Sequence, residues 1–322
     1  MEFAPWNENW DTVIIGSGPG GVSAAIYATR GELKTLLVEK AFTGGQIALT
    51  AEVENYPGFP SVSGLELAQR LEEHLRKFGT PVLNKTVARL GEAGDGGYFV
   101  EVATGERIRT RTIIIATGSR PNLLPAKNAQ ELYGKGVSYC AVCDGPFFKG
   151  QDVVIVGGGD AAMEEAQYLA TVCRQVTLIH RREGFRAQPI ALSRTQALPN
   201  VGFKLNYIVT EVLGTERVTG VRLQNTQTGE EEEMPAAGIF VYIGHTPNTQ
   251  FAEGFLKLAD TGEIHVDCRM RTEKPGVFAV GDVTYRSLKQ MTISVGEGAT
   301  AAIEAGRYLI TGEWPPWQPA HG

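Results

Sequence analysis

Thr12-Val13-Ile14-Ile15-Gly16-Ser17-Gly18-Pro19-Gly20-Gly21 decides the fold, because the same pattern returns as Val153-Val154-Ile155-Val156-Gly157-Gly158-Gly159-Asp160-Ala161-Ala162. Each copy passes from a short apolar run, rich in β-branched residues, through a glycine turn into a helical pattern. Glycines in such a turn allow a tight reversal, a close approach of backbone to phosphate, and close packing of helix on strand. One G-x-G-x-x-G is weak, since glycine turns are common. Two copies, each between a strand and a helix, point to two dinucleotide-binding units. In the first unit the pyrophosphate is expected on backbone N–H groups at the start of the helix near Ser23-Ala24-Ala25, where the helix dipole favours anions.

Outward from the first copy, Thr35–Val38 reads as a second strand. Glu39 closes it, 18 residues after Gly21, and suits the adenosine ribose hydroxyls. Residues 65–78 have helical periodicity, whereas Tyr98–Val102 and Arg107–Arg109 alternate like strands. Ile113–Gly118 reads as a buried strand ending in a small-residue turn. The second unit continues with a helix over 160–172 and a strand over 176–179. Strands ending at Gly244 and near Gly281-Asp282, then a helix over 296–310, complete the chain. This order predicts an α/β protein of two Rossmann-like three-layer domains, the second inserted in the first. Residues 1–117 and 245–322 would form one domain and 118–244 the other, with joints near Thr117-Gly118 and Gly244-His245.

Composition narrows the function classes. The 322 residues carry a net charge of −6, with Lys and Arg spread along the chain, which argues against nucleic-acid binding. No apolar run reaches the ~18 residues of a membrane span. Met1-Glu2-Phe3-Ala4-Pro5-Trp6-Asn7-Glu8 lacks the basic and apolar regions of a signal peptide, so a cytoplasmic location is expected. Four cysteines in so long a chain do not make a structural disulfide framework.

Between the two fingerprints lies Cys140-Ala141-Val142-Cys143-Asp144-Gly145. A C-x-x-C at a helix start or tight turn lowers a thiol pKa and suits disulfide exchange. The same spacing is half a zinc site, but no second Cys or His pair stands at metal spacing, and no metal is expected. Cys173, in a predicted helix, and Cys268, in a strand-like stretch, read as small core residues.

Taken together, these motifs resemble the low-molecular-weight thioredoxin reductases nearly from end to end. The resemblance also rests on Gly44-Gly45-Gln46, Val53-Glu54-Asn55-Tyr56-Pro57-Gly58, Ala116-Thr117-Gly118, His180-Arg181-Arg182-Glu183-Gly184-Phe185-Arg186 and Gly281-Asp282. It implies a homodimer with an FAD domain and an inserted nucleotide domain carrying a redox-active disulfide, passing two electrons from a donor through FAD to thioredoxin. It implies FAD contacts from Gly16, Ser17, Gly18, Pro19, Gly20, Glu39, Gly44, Gly45, Gln46, Asn55, Thr117, Gly118, Gly281 and Asp282. In the helix leading under the flavin this chain has Lys289-Gln290-Met291 where the family usually has Arg-Gln-Ala. Family matching makes Cys143 the flavin-proximal sulfur, Cys140 the attacker on thioredoxin, and Asp144 the acid–base group. Lipoamide-dehydrogenase-like enzymes carry their pair after the second strand, yet Ala41–Gln46 contains no cysteine. A dithiol oxidase of the same fold remains a further alternative.

The donor is read from the second unit. Gly157, Gly159 and Ala162 supply its cradle, and its second strand ends at His180 where an NAD-binding unit offers Asp or Glu. Arg181, Arg182 and Arg186 suit the 2′-phosphate of NADPH, and Glu164 and Glu165 fit the family pattern. NADPH is therefore placed first. The competing donor is ferredoxin, because Trp314-Pro315-Pro316-Trp317 resembles the aromatic tail that covers the flavin in ferredoxin-dependent relatives. The same tail also fits a packed terminus or a dimer contact.

Overall fold

The computed structural model describes residues 4–49, 53, 55–94, 96–285 and 288–319. Met1–Phe3 of the N-terminal stretch and Glu54 of the Val53–Gly58 motif lie outside them. In chain order the elements begin β1 (Asn9–Ile15), α1 (Pro19–Arg30), β2 (Thr35–Glu39), α2 (Gly64–Lys77), β3 (Val82–Asn84), β4 (Val87–Glu92), β5 (Tyr98–Val102), β6 (Arg107–Ile115) and β7 (Ser119–Pro121). They continue β8 (Val137–Ser138), α3 (Ala141–Asp144), β9 (Asp152–Gly157), α4 (Asp160–Val172), β10 (Gln175–His180), α5 (Pro189–Gln196), β11 (Val201–Leu205), β12 (Tyr207–Leu213), β13 (Gly220–Asn225), β14 (Glu231–Pro235) and β15 (Gly238–Tyr242). The last are β16 (His245–Pro247), β17 (Val277–Ala279) and α6 (Met291–Thr311). The chain divides into two compact units, Met1–Arg120 with Thr246–Gly322, and Pro121–His245.

In the first unit β3, β2, β1 and β6 run parallel in that order. The sequence suggests separate strands at Arg107–Arg109 and Ile113–Gly118, but they form one strand, β6. Its first half alternates between buried and exposed residues and pairs antiparallel with β5. Its last half is fully buried, and Ile113–Ile115 pair parallel with β17. The change of environment along the strand, from half-solvated to buried on both faces, is what breaks the apparent period. Val13, Ile14, Leu36, Leu37, Ile114 and Phe278 are fully buried at the centre of this core.

Helices α1 and α6 pack together through small residues. A Cβ at Gly298 would fall 2.1 Å from the Gly20 carbonyl oxygen, and Ser23 Oγ donates to Val295 O at 2.7 Å. Helix α6 starts five residues earlier than its periodicity suggests and ends at Gly312, whose φ of 69° only glycine adopts readily. Ser63 caps α2, its Oγ accepting the Glu66 N–H at 3.1 Å.

The second unit holds an all-parallel sheet in the order β11-β10-β9-β15-β8, and a separate antiparallel sheet β12-β13-β14. Sequence reading leaves Val201–Pro235 without elements because β11, β12 and β14 are mostly half-buried or exposed, and their apolar residues come in pieces of at most three, as in Tyr207-Ile208-Val209. Among the described residues no helix is long and apolar enough to cross a membrane.

Candidate functional site

The two glycine turns share an extended glycine at the helix N-cap. Gly16 has φ +101°, and a Cβ there would fall 2.4 Å from Ala116 O. A Cβ at Gly21 would fall 1.8 Å from Gly16 O, so α1 can rest on β1 only with glycine at that position. Gly18 is the extended N-cap of α1 and has no capping side chain; a Cβ on it would meet nothing within 4 Å. Gly159 caps α4 in the same way, again without a side-chain bond and with open space at its Cβ position. Glycine at both caps leaves the first-turn N–H groups facing open space, which is what an approaching pyrophosphate requires.

Around the first turn the structure gathers residues from four segments. Glu39 Oε2 accepts both the backbone N–H and the hydroxyl of Ser17 at 2.8 Å. Gly44 donates to Ser17 O at 2.8 Å, and Gly45 lies against Gly18. Gln46 Nε2 donates to Ser119 O. Gly281, with φ +73°, donates to Glu297 Oε2 at 2.7 Å, and Ser294 touches both Gly20 and Gly281. Lys289 Nζ donates to Asp282 O at 2.9 Å. Thr117 and Gly118 are tied to Asn248: Thr117 Oγ1 donates to Asn248 O at 2.8 Å, and Asn248 Nδ2 to Thr117 O at 2.9 Å. Met291 packs with Val53, Val62 and Leu67, whereas Gln290 and Asn55 are exposed. Ser294, Glu297 and Asn248 escaped the sequence reading, since only the packing of α6 and the loop after β16 brings them to the turns.

In the second unit a Cβ at Gly158 would fall 2.2 Å from the His180 ring, so the imidazole forms the floor of the turn. His180 is buried, stacks on Phe185 at 5.0 Å, and has Nε2 3.1 Å from Gly184 O. Burial holds its pKa below the usual histidine value against hydrogen bonds to Gly184 and Gly157 that raise it, and Arg181 and Arg182 add to the lowering. Arg186 is tied in by its N–H, which donates to Gly158 O at 2.9 Å. The side chains of Arg181, Arg182 and Arg186 are exposed, and none is bridged to a carboxylate among the described residues. Ala162 is fully buried where α4 meets β9.

Cys140 and Cys143 form a disulfide across the first turn of α3. Cys140 is the N-cap, its Sγ accepting the Cys143 N–H at 3.3 Å. Ser138 Oγ donates to Asp144 Oδ2 at 2.6 Å and accepts the Cys140 N–H at 3.1 Å. The Tyr242 hydroxyl accepts the Ala141 N–H at 2.6 Å. Burial raises the Asp144 pKa, with the Ser138 bond opposing it. Burial also raises Glu165, on α4, to about 7, with Glu164 adding to the effect.

Cys173 is buried at the C-cap of α4. Cys268 corrects its expectation: it is exposed, not core. Its strand-like stretch is bent into a turn by Asp267, whose Oδ1 accepts the N–H groups of Arg269 at 2.8 Å and Arg271 at 3.0 Å. The tail packs on its own unit. Trp314 meets Phe278 and Tyr308 edge-on, each at 5.3 Å, and Trp317 Nε1 donates to Arg271 O at 2.8 Å. Tyr308 and Ser294 sit roughly 21 Å apart along α6, so the tail is anchored far from the first glycine turn.

Fold and site together define a protein class: two glycine turns of the dinucleotide-binding kind, with a disulfide turn in the same unit as the second. The family profile described as pyridine nucleotide-disulphide oxidoreductase matches residues 10–298. The thioredoxin reductase of Listeria monocytogenes is 43% identical over 305 residues, covering 93% of this chain and 94% of that protein. That of Bacillus subtilis is 41% identical over 302 residues, covering 93% and 95%. The crystal structure of thioredoxin reductase from Streptococcus pyogenes superimposes with a TM-score of 0.86 at 40% identity, covering 95% of this chain and 99% of that one. This chain belongs to the pyridine nucleotide-disulphide oxidoreductase family, in its low-molecular-weight thioredoxin reductase branch.

Proposed function

We propose that this chain is a thioredoxin-disulfide reductase that holds FAD in its first unit and draws its electrons from NADPH bound to its second. The observation that carries the reading is the Cys140–Cys143 disulfide set in a helical turn of the unit that bears the second cradle. FAD, when bound, supplies the two-electron relay between a hydride donor and a disulfide.

The residues present fit that group. Open space over Gly18, the Ser17–Glu39 bonds and the approach of Gly45 suit a dinucleotide laid across the start of α1, its ribose toward Glu39. Gly281, Asp282 and Lys289 extend the same cradle through Ser294 and α6. In the second unit the exposed guanidinium groups of Arg181, Arg182 and Arg186 suit a 2′-phosphate, and the neutral His180 replaces the acid that would repel it. The tail anchored at Trp314 supports NADPH over ferredoxin, because the ferredoxin reading needs that tail to lie over the flavin.

The thiol chemistry follows from the turn. Reduced Cys140, as a thiolate, attacks one sulfur of the thioredoxin disulfide and expels the other as a thiolate. Cys143 then attacks Cys140 in the mixed disulfide, restoring the Cys140–Cys143 bond and releasing reduced thioredoxin. Asp144, held protonated into a higher pH range by burial, donates the proton that a departing thiolate needs. Exposed Phe147, just past the turn, offers apolar surface to the docking protein. A homodimer in the cytoplasm completes the proposal on the strength of the family.

The test is anaerobic mixing of the yellow protein with excess NADPH in a stopped-flow instrument. Bleaching within a second is expected in the wild type and in Cys143→Ser, while thioredoxin turnover is lost in the variant. A flavin that stays yellow with NADPH and bleaches with reduced ferredoxin overturns the donor. Thioredoxin turnover by Cys143→Ser overturns the relay.

A further inference from the structure

The redox turn is too short to hold itself, since a four-residue helix has almost no internal bonding. Two of its N–H groups are satisfied locally: Cys143 N–H by Cys140 Sγ at 3.3 Å, and Asp144 N–H by Cys140 O at 3.1 Å. The N–H groups that lead into it, those of Cys140 and Ala141, are taken by hydroxyls from the sheet. Strands β8 and β15 are neighbours, with Ser138 opposite Phe240, so Ser138 and Tyr242 emerge on the same face. We propose that Ser138 and Tyr242 are positioning residues for the redox turn, one acting through Cys140 and Asp144, the other through Ala141. This rests on the reading of Cys140–Cys143 as the redox couple and Asp144 as its acid.

The geometry gives the two hydroxyls different tasks. Ser138 Oγ accepts the Cys140 N–H at 3.1 Å, and its one proton reaches Asp144 Oδ2 at 2.6 Å, a shorter path than the 3.2 Å to Cys140 O. One side chain thus fixes the attacking cysteine and the acid together, and it favours the ionised form of Asp144. Tyr242 accepts the next N–H in the chain, Ala141, at 2.6 Å. Its own proton lies within electrostatic reach of Glu165 from α4 and of Asp144. The titratable groups around Asp144 are the Tyr133 and Tyr242 phenols, both raised by burial and neutral through the working range, together with the two thiols once reduced. Glu165 reaches the cluster through Tyr242, and Glu164 acts on Glu165.

The experiment is the pH profile of thioredoxin reduction, with kcat and KM separated, for the wild type and for Ser138→Ala, Ser138→Thr, Tyr242→Phe, Asp144→Asn and Glu165→Gln. Removing the Ser138 hydroxyl removes a bond to the ionised acid, so Asp144 keeps its proton to higher pH. Ser138→Ala should therefore move the alkaline limb of kcat/KM upward by half a unit or more and lower kcat about tenfold at unchanged KM. Ser138→Thr, which keeps a hydroxyl, should restore the wild-type profile. Tyr242→Phe should lower kcat about tenfold while the limb stays in place. Glu165→Gln separates any limb that belongs to Glu165 itself. Profiles and kcat values that overlay the wild type for Ser138→Ala and Tyr242→Phe, with only the melting temperature lowered, overturn the proposal. An unchanged profile in Asp144→Asn overturns instead the reading of Asp144 as the acid, and with it the Ser138 half.

Discussion

Replacing Gly21 by alanine is expected to cost the first unit about 3 kcal/mol, whereas the same change at Gly18 should cost under about 1 kcal/mol. The difference is worked from what each Cβ would meet. At Gly21 it would lie 1.8 Å from Gly16 O and 2.9 Å from Gly16 C, both backbone atoms. Relief requires α1 to move off β1 by more than about an ångström, since real Cβ contacts stay above roughly 3 Å. That movement is blocked on the other side, where the Gly20 carbonyl already sits so close to α6 that a Cβ at Gly298 would be 2.1 Å from it. Overpacking without an escape belongs at the upper end of the usual 1–3 kcal/mol, and at about 2–4 °C per kcal/mol the melting temperature should fall by roughly 6–12 °C. At Gly18 the Cβ meets nothing within 4 Å and φ is −64°, so the fold tolerates alanine. The methyl group would instead occupy the space left for a pyrophosphate, and flavin retention should drop at least tenfold. Thermal unfolding by circular dichroism on flavin-free protein isolates stability from ligand linkage. The ratio of flavin to protein absorbance after purification reads retention. A Gly21→Ala protein melting within about 2 °C of wild type would refute the close-packing argument. A Gly18→Ala protein that keeps its full flavin would refute the cradle.

Three further outcomes are expected. Replacing Arg181, Arg182 and Arg186 together by alanine should raise the KM for NADPH by about a hundredfold or more, at roughly 1.5–3 kcal/mol per charged hydrogen bond, and leave that for NADH unmoved; an unchanged NADPH/NADH preference would mean that this loop is merely solvated. Glu165 should make the second unit less stable as pH rises. Its folded pKa of about 7 exceeds the ordinary 4.5, so between those values the folded state keeps a proton that the unfolded state releases. The loss is complete above pH 7 and amounts to about 3 kcal/mol at most. The melting-temperature advantage of Glu165→Gln over wild type should accordingly grow from pH 4.5 to 8, and a flat difference would sink the assignment. Deleting the tail after Gly312 should cost about 2 kcal/mol of stability through the loss of Trp314 and leave the rate of NADPH bleaching unchanged; faster bleaching would put the tail back over the flavin.

Much of the site was legible because its signals are local. A glycine turn between an apolar strand and a helix is written in ten consecutive residues, and the redox pair in four. Glu39 lay at a readable distance from Gly21, and the structure brings it onto Ser17. What could not be read are the groups that serve these motifs from elsewhere in the chain. Nothing near Ser138 or Tyr242 marks a hydroxyl that holds the Cys140 or Ala141 peptide; that pairing exists because β8 and β15 are neighbours in a sheet. Ser294 and Glu297 are polar residues spaced one turn apart on α6, and only the packing of α6 on α1 brings Ser294 to Gly20. Cys268 was misread because a single carboxylate, Asp267, turns a strand-like stretch outward.

The sequence by itself determined the α/β class, the two glycine turns between strand and helix, the C-x-x-C pair and the family, because backbone conformation and reactive spacing are set by residues adjacent in the chain. Only the tertiary structure decided which side chains hold the redox turn, how β6 serves two partners along its length, and where the tail rests. Those are contacts between residues far apart in the chain, and they exist only once the sheets and helices have brought them together.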